Sequence, residues 1–299
     1  MRNKYTVLTS IVLMQFVFFQ AFPQDDLLNL LEQETQKEQT TEFVYATFKA
    51  TRIINSQSVE TTAGGNLNFI IAHRFGKIND GWYELWGLDN ATIRLGLEYG
   101  ITDWLNIGIG RSSYLKTLDM YGKLRIVRQS SGEKNFPFSA VLFSNIAENG
   151  MHWSEPDRVN YFSSRLSFAN QLLIARKFSN AFSLQLSPSY IHRNFVETKE
   201  DQNDVFAVGA GGRIKLSNRI SINAEYFYQI PGTNSEKFYN SVAVGIDIET
   251  GGHVFQFHIT NSKGMIEQYF IAGTTGDMLD GDIYFGFNIN RVFTLKKEK

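Results

Sequence analysis

Ala91-Thr92-Ile93-Arg94-Leu95-Gly96-Leu97-Glu98-Tyr99-Gly100 alternates apolar and polar residues without a break. Side chains along a strand point to opposite faces in turn, so Ile93, Leu95, Leu97 and Tyr99 share one face and Thr92, Arg94, Gly96 and Glu98 the other. A soluble sandwich buries the apolar face of such a strand. An outer-membrane barrel turns that face to lipid and keeps the polar one in its lumen.

The beginning of the chain points to the second case. Arg2 and Lys4 precede the uncharged run VLTSIVLMQFVFF (residues 7–19), followed by Ala21 and the acidic pair Asp25-Asp26. A basic start, a short apolar middle and a nearby small residue read as a secretory signal peptide over residues 1–22, cleaved between Ala21 and Gln24. The run is shorter than the roughly 20 apolar residues of a spanning helix. The chain has no cysteine, which excludes disulfides and a lipid-anchoring cysteine. Its net charge of −1 offers no basic stripe for a nucleic-acid partner. Residues 23–42 read as a periplasmic leader: four leucines at 27, 28, 30 and 31 suit one short amphipathic helix, and a polar linker follows.

The same alternation recurs down the chain. Leu105, Ile107 and Ile109 oppose Asn106, Gly108 and Gly110; Phe182, Leu184 and Leu186 oppose Ser183, Gln185 and Ser187. Ile220, Ile222, Ala224 and Tyr226 oppose Ser221, Asn223 and Glu225, and Val242, Val244, Ile246 and Ile248 oppose Ala243, Gly245, Asp247 and Glu249. A helical period would smear these charges onto the apolar side. SAVLFSN (residues 139–145) is less decisive, being partly apolar on both faces. Tight turns at 101–104, 179–181, 217–219 and 250–252 separate longer loops near 152–160, 194–203, 231–237 and 261–281, the rhythm of short periplasmic turns and long outer loops. Trp104, Phe178, Phe182, Tyr190, Tyr226 and Tyr228 fall near strand ends, where interfacial girdles sit.

These patterns predict an all-β fold, an antiparallel transmembrane β-barrel of about 12 strands over residues 66–295, with 14 as the alternative. Counting back from the last strand leaves residues 43–54 (FVYATFKATRII) over, because another strand would start on the wrong side of the membrane. Residues 43–65 are therefore expected to form an extra strand-like segment, lying inside or beneath the lumen as a plug.

Inward-facing charges segregate along the chain. Arg94, Lys123, Arg125, Arg165 and Arg213 come first; Glu225, Asp247, Glu249 and Asp282 follow. On a closed ring these become opposed charge walls, which either set up a transverse field for polar solutes or pair and close the lumen. One motif invites an enzymatic reading. His258 and Thr260 stand two apart on one strand face, resembling the His-x-Ser-Asn arrangement of outer-membrane phospholipases, in which histidine activates a serine. Here threonine replaces the serine, and the strand phase points the pair inward, away from lipid. No catalytic residue, cofactor or metal site is assigned: His73, His152, His192 and His253 are too scattered for metal ligands.

ATFKATRIINSQSVE, LNFIIAHRFG, GLDNATIRLGLEYGITDWLNIGIGRSS, NYFSSRLSFANQLLIARKF, DVFAVGAGGR and IETGGHVFQFHITNSKGMIE together resemble a family of Bacteroidota outer-membrane β-barrels with no established activity. The resemblance runs from about Thr41 to Leu295 and implies a single barrel in the outer membrane of a Gram-negative bacterium, with no assigned catalytic residues. Three functional classes follow from the residues. The first is a pore for small polar solutes or ions. The second is a non-conducting barrel that acts as scaffold or binding protein for a periplasmic or surface partner. The third is a lipid hydrolase. The pore is placed first, and a plug filling the lumen would count against it. Outer-membrane lipid is the expected surrounding in every case.

Overall fold

A computed structural model describes residues 40–196, 198, 201–234 and 236–295. The expected signal peptide and most of the leader lie outside the described residues. The chain divides into two units, residues 1–42 with 132–134, and residues 43–131 with 135–299. In the first unit the Lys134 amide donates to the Thr41 hydroxyl at 3.2 Å.

Twelve antiparallel strands close into a barrel: β1 (Asn66–Lys77), β2 (Ala91–Thr102), β3 (Leu105–Ser112), β4 (Leu118–Val127), β5 (Ser139–Glu148), β6 (Leu166–Lys177), β7 (Phe182–Arg193), β8 (Asp204–Lys215), β9 (Ile220–Gln229), β10 (Ser241–Thr250), β11 (His253–Thr260) and β12 (Tyr284–Thr294). Each pairs with its neighbours in sequence, and β12 returns to β1 with Thr294 opposite Asn66 and Phe287 opposite His73. The count of twelve holds, and the alternative of fourteen does not.

Burial follows the alternation. Along β2, Ile93, Leu95 and Leu97 are exposed on the outer face, while Arg94 and Glu98 are fully buried. The short turns use serine to satisfy their own backbone: the Ser179 hydroxyl accepts from the Ala181 and Phe182 amides, and Ser217 accepts from Arg219 and Ile220 in the same way. Trp104, Phe178 and Phe182 ring the short-turn end. Tyr226 and Tyr228 ring the other. One connection on the short-turn side, between β4 and β5, is longer than the rest. It folds back on itself through paired bonds between Ser130 and Phe136.

Residues 43–65 add no strand to the barrel wall. They enter beside the β4–β5 connection, where the Val44 amide donates to the Gln129 carbonyl at 2.8 Å and Arg128 covers the Tyr45 ring at 3.7 Å. Beyond this point residues 51–58 form a tight hairpin, with Ile53 donating to the Ser56 carbonyl and Ser58 to the Thr51 carbonyl, both at 2.9 Å. Residues 52–58 are buried throughout. From the opposite end the β11–β12 connection also folds inward. Its one helix, α1 (Glu267–Ala272), carries Phe270, Ile271 and Ala272 with no exposure at all. The sequence presents this connection as an ordinary polar loop; it is instead the second element inside the barrel.

Candidate functional site

The lumen is where the chemistry-bearing side chains converge, and almost every strand sends one to the 46–62 segment. Glu225 on β9 is the centre of the grip. Its carboxylate accepts from the Ile54, Asn55 and Ser56 amides at 3.3, 2.8 and 3.2 Å and from the Ser56 hydroxyl at 2.9 Å. Three successive backbone N–H groups thus converge on one buried anion, an arrangement that needs a hairpin tip to form. Lys123 on β4 donates to the carbonyls of Thr51 and Glu60, each at 2.9 Å. Arg213 on β8 donates to the Ala46 and Thr47 carbonyls at 2.8 and 3.1 Å.

Neutral wall residues complete the set. Gln185 on β7 accepts from the Val59 amide at 2.9 Å and donates to the Gln57 carbonyl at 2.8 Å. Gln256 on β11 and Asn288 on β12 donate to the Ile53 and Ile54 carbonyls at 2.8 and 2.9 Å. Arg74 on β1 donates to the Asn55 side chain. Glu98 on β2 accepts from the Thr62 hydroxyl at 2.6 Å and from Tyr121 at 3.0 Å. The segment has almost no secondary structure of its own, so the wall supplies the partners that its buried backbone needs.

An apolar cluster sits beside this polar grip. Phe48, Ile53, Ile54 and Val59 of the segment pack with Tyr121, Val141, Phe143 and Leu173 of the wall. A fully buried side chain of this kind contributes about 1.5–3 kcal/mol over leaving it in water. A second cluster joins Phe270 and Ile271 of α1 to Ala169, Ile191, Val205 and Phe227, with the Phe227 and Phe270 rings edge to face at 5.1 Å. The two fillings touch. Arg52 donates to the Met265 carbonyl at 3.2 Å and lies 4.0 Å from Glu267, and the Gln57 amide donates to Glu267 at 3.2 Å. Burial pushes the Glu267 carboxyl up from its usual range. Burial likewise pushes the Tyr269 hydroxyl, which takes a hydrogen bond from Thr117 at 3.1 Å, up to about 12.

The charge walls read from the sequence do not face each other across open water. Arg94 makes a two-pronged contact with Asp119 on β4, at 2.8 and 2.5 Å, and both are fully buried. Lys123, Arg213 and Glu225 bind the inner segment, while buried Asp247 accepts from Gln256 at 3.0 Å. Arg52, Arg74, Arg94, Lys123 and Arg213 are matched within the lumen by Glu98, Asp119, Glu225, Asp247 and Glu267, all buried. Arg125 and Glu249 lie at the short-turn mouth, the first donating to the Asp103 carbonyl at 3.1 Å and the second paired with Lys49.

Two expected wall residues are not in the wall. Arg165 precedes β6 in the loop region, donating to the Asn149 carbonyl at 2.6 Å and covering the Trp153 ring at 4.0 Å. Asp282 precedes β12 and binds Lys77 and Asn79, each at 2.8 Å. Each lies just before its strand begins, at Leu166 and Tyr284, where loop contacts and not strand alternation set the side chain's direction. Hydrogen bonds from Lys77 and Asn79 hold the Asp282 carboxyl below its usual range.

His258 and Thr260 both point into the lumen, 3% and 0% exposed. The Thr260 hydroxyl donates to the Val242 carbonyl at 2.7 Å and accepts the Ser262 amide at 3.2 Å. Both ring nitrogens of His258 lack a partner among the described residues. Lipid cannot reach either side chain.

Strand count, closure, outward apolar faces and a polar lumen define a transmembrane β-barrel, here filled by its own chain. The chain belongs to the family described as "Membrane bound beta barrel domain (DUF5777)", whose model matches residues 48–293. The match therefore takes in most of the inner segment as well as the wall. No curated protein matches the sequence. Among solved structures, the NanC porin aligns with a TM-score of 0.47 at 7% identity, covering 76% of this chain and 98% of that one. An outer membrane channel from Pseudomonas putida F1 aligns at 0.47 and 13% identity, covering 78% and 96%. Outer membrane phospholipase A from Escherichia coli, in an active-site mutant, aligns at 0.42 and 11% identity, covering 77% and 91%. At these scores and identities the likeness carries no inference about activity.

Proposed function

We propose that this protein is an outer-membrane barrel stoppered by its own chain: residues 46–62 fill the short-turn half of the lumen and α1 the other half. In this reading it does not conduct at rest. Small polar solutes or ions pass only when the stopper leaves. The observation that carries it is the grip on the hairpin tip, where Glu225 alone takes four hydrogen bonds from residues 54–56. The wall groups involved are charged or amide-bearing, so water can replace the hairpin as their partner, which favours a removable stopper over a fused core.

The apolar cluster around Phe48, Ile53 and Phe143 favours a second reading, a permanently closed barrel that serves as a membrane scaffold for a periplasmic or surface protein. Lipid hydrolysis by His258 and Thr260 draws no support from a buried pair that faces away from the bilayer. Efflux of a small polar dye from proteoliposomes separates the first two readings. The whole protein is expected to leak no faster than protein-free vesicles, and a deletion variant lacking residues 46–62, with residues 263–275 replaced by a glycine-serine linker, to leak freely. Rapid leakage through the whole protein overturns closure; a tight, folded deletion variant favours the scaffold.

A further inference from the structure

The lipid-facing side of the wall carries two cations at its short-turn end. Arg176 on β6 and Arg291 on β12 stand at outward positions, in step with Ile174 and Ile289, and both are exposed. Among the described strand residues that face outward in this half of the wall, they are the only charged ones. Their counterparts on other strands are mostly aliphatic, such as Ile101, Leu142 and Ile220. One three-residue pattern holds both: Arg176-Lys177-Phe178 and Arg291-Val292-Phe293. In each, the guanidinium lies over the phenyl ring two residues on, 5.2 and 4.8 Å from its centre. β6 and β12 are six strands apart in a ring of twelve, so the two cations stand on opposite sides of the barrel.

Arginines of the lumen are engaged by the protein itself: Arg94 pairs with Asp119, and Arg213 donates to the inner segment. Arg176 and Arg291 differ, because neither guanidinium makes a hydrogen bond or ion pair with a protein group among the described residues. A cation on the lipid face is costly at mid-depth and far less so near the interface, which puts both side chains at headgroup level. Aromatic rings mark the same level, with Phe178 stacked on Phe182 at 5.7 Å. His253 stands directly opposite Arg291 across the β11–β12 ladder and adds a second polar group beside it. The anion that a lipid-facing cation meets at this depth is a phospholipid phosphate, two of whose oxygens a planar guanidinium engages at once. We propose that Arg176 and Arg291 form two phospholipid-binding sites, each guanidinium holding the phosphate of a lipid in the adjoining leaflet and backed by the ring it covers. Both sites lie on the outside of the wall and stand whether or not the lumen conducts.

Native mass spectrometry of the refolded full-length protein, released from an uncharged detergent, tests the sites with dioleoyl phosphatidylglycerol as the probe. Dioleoylglycerol, which has the same chains and no phosphate, is the reference. The expected result is two phosphatidylglycerol molecules retained per barrel, and no dioleoylglycerol at the same concentration. Arg176→Gln and Arg291→Gln should each retain one, and the double glutamine variant should bind at least tenfold more weakly than wild type. The double lysine variant, which keeps the charge and loses the fork, should fall between. Arg158→Gln removes a charge from the β5–β6 loop at the other end of the barrel and should match wild type. Equal retention of the two lipids by wild type overturns the sites without recourse to any variant, since it assigns binding to the acyl chains. Retention that survives in the double glutamine variant, or that falls as far in Arg158→Gln, also overturns them.

Discussion

Replacing Glu225 by alanine removes the one wall group that holds the hairpin tip by four hydrogen bonds. Bonds to a charged acceptor are worth about 1.5–3 kcal/mol each, although four bonds to one carboxylate do not add fully. Removing one partner from a buried charged cluster costs about 3–5 kcal/mol, because the groups left behind have no water to turn to. Taking about 4 kcal/mol, and a tenfold population change per 1.4 kcal/mol, the withdrawn state becomes about a thousandfold more populated. The protein has no cysteine, so Ser58→Cys introduces its only thiol. Ser58 has no exposure and donates to the Ala50 carbonyl at 2.7 Å, so labelling requires the hairpin to move. In the refolded protein, maleimide should label this cysteine about a thousandfold faster in the Glu225→Ala background. Glu225→Gln, which keeps an acceptor, should fall between. A cysteine at Leu279, which is 95% exposed, should label equally in all backgrounds. Equal rates at position 58 with and without Glu225 would refute the claim that this carboxylate holds the hairpin.

Three further outcomes follow from the same contacts. Burial raises the folded-state pKa of Glu267, so the folded protein holds that proton more tightly than the unfolded chain does, and stability falls as pH rises from about 4 through the raised value. Glu267→Gln should remove this slope and unfold at higher urea than wild type at pH 8; a lower midpoint would contradict it. Phe270→Ala should cost about 3–5 kcal/mol in urea unfolding, from its complete burial against Phe227. A Cβ at Gly108 would lie 2.2 Å from the Tyr121 ring, so Gly108→Val should displace that ring and its bond to Glu98, lowering the urea midpoint, whereas Gly251→Val, with nothing near, should leave it unchanged.

The barrel wall was legible because one rule governs it. Alternation in segments such as 91–100, with serine-capped turns between them, fixes which residues face out, and parity then leaves residues 43–54 outside the wall. What the wall rule cannot show is which inward groups meet each other. Arg94 looked like half of a charged wall, yet its partner Asp119 sits two strands away on β4, a contact that passes over Gly110 of β3 and is set by the registers of three neighbouring strands. One signal of the filled lumen was present in the sequence. Residues 139–145 break the alternation because Val141 and Phe143 face inward, and these are the wall residues that pack on Phe48, Ile53 and Ile54. The inward apolar side chains were the trace of something apolar to meet. Inward glycines carried a similar trace: a Cβ at Gly211 would fall 2.5 Å from Ile53, and one at Gly110 2.2 Å from Arg94. Residues 261–281 gave no comparable sign, because a polar loop that folds inward has the composition of one that stays outside.

Single-channel recording in a planar bilayer tests closure by the protein's own chain most directly. It compares the full-length protein with a folded variant in which residues 46–62 are deleted and residues 263–275 replaced by a glycine-serine linker. The account predicts a quiet trace from the full-length barrel and stepwise openings from the variant. Stepwise openings from the full-length protein, or silence from the emptied barrel, would contradict it.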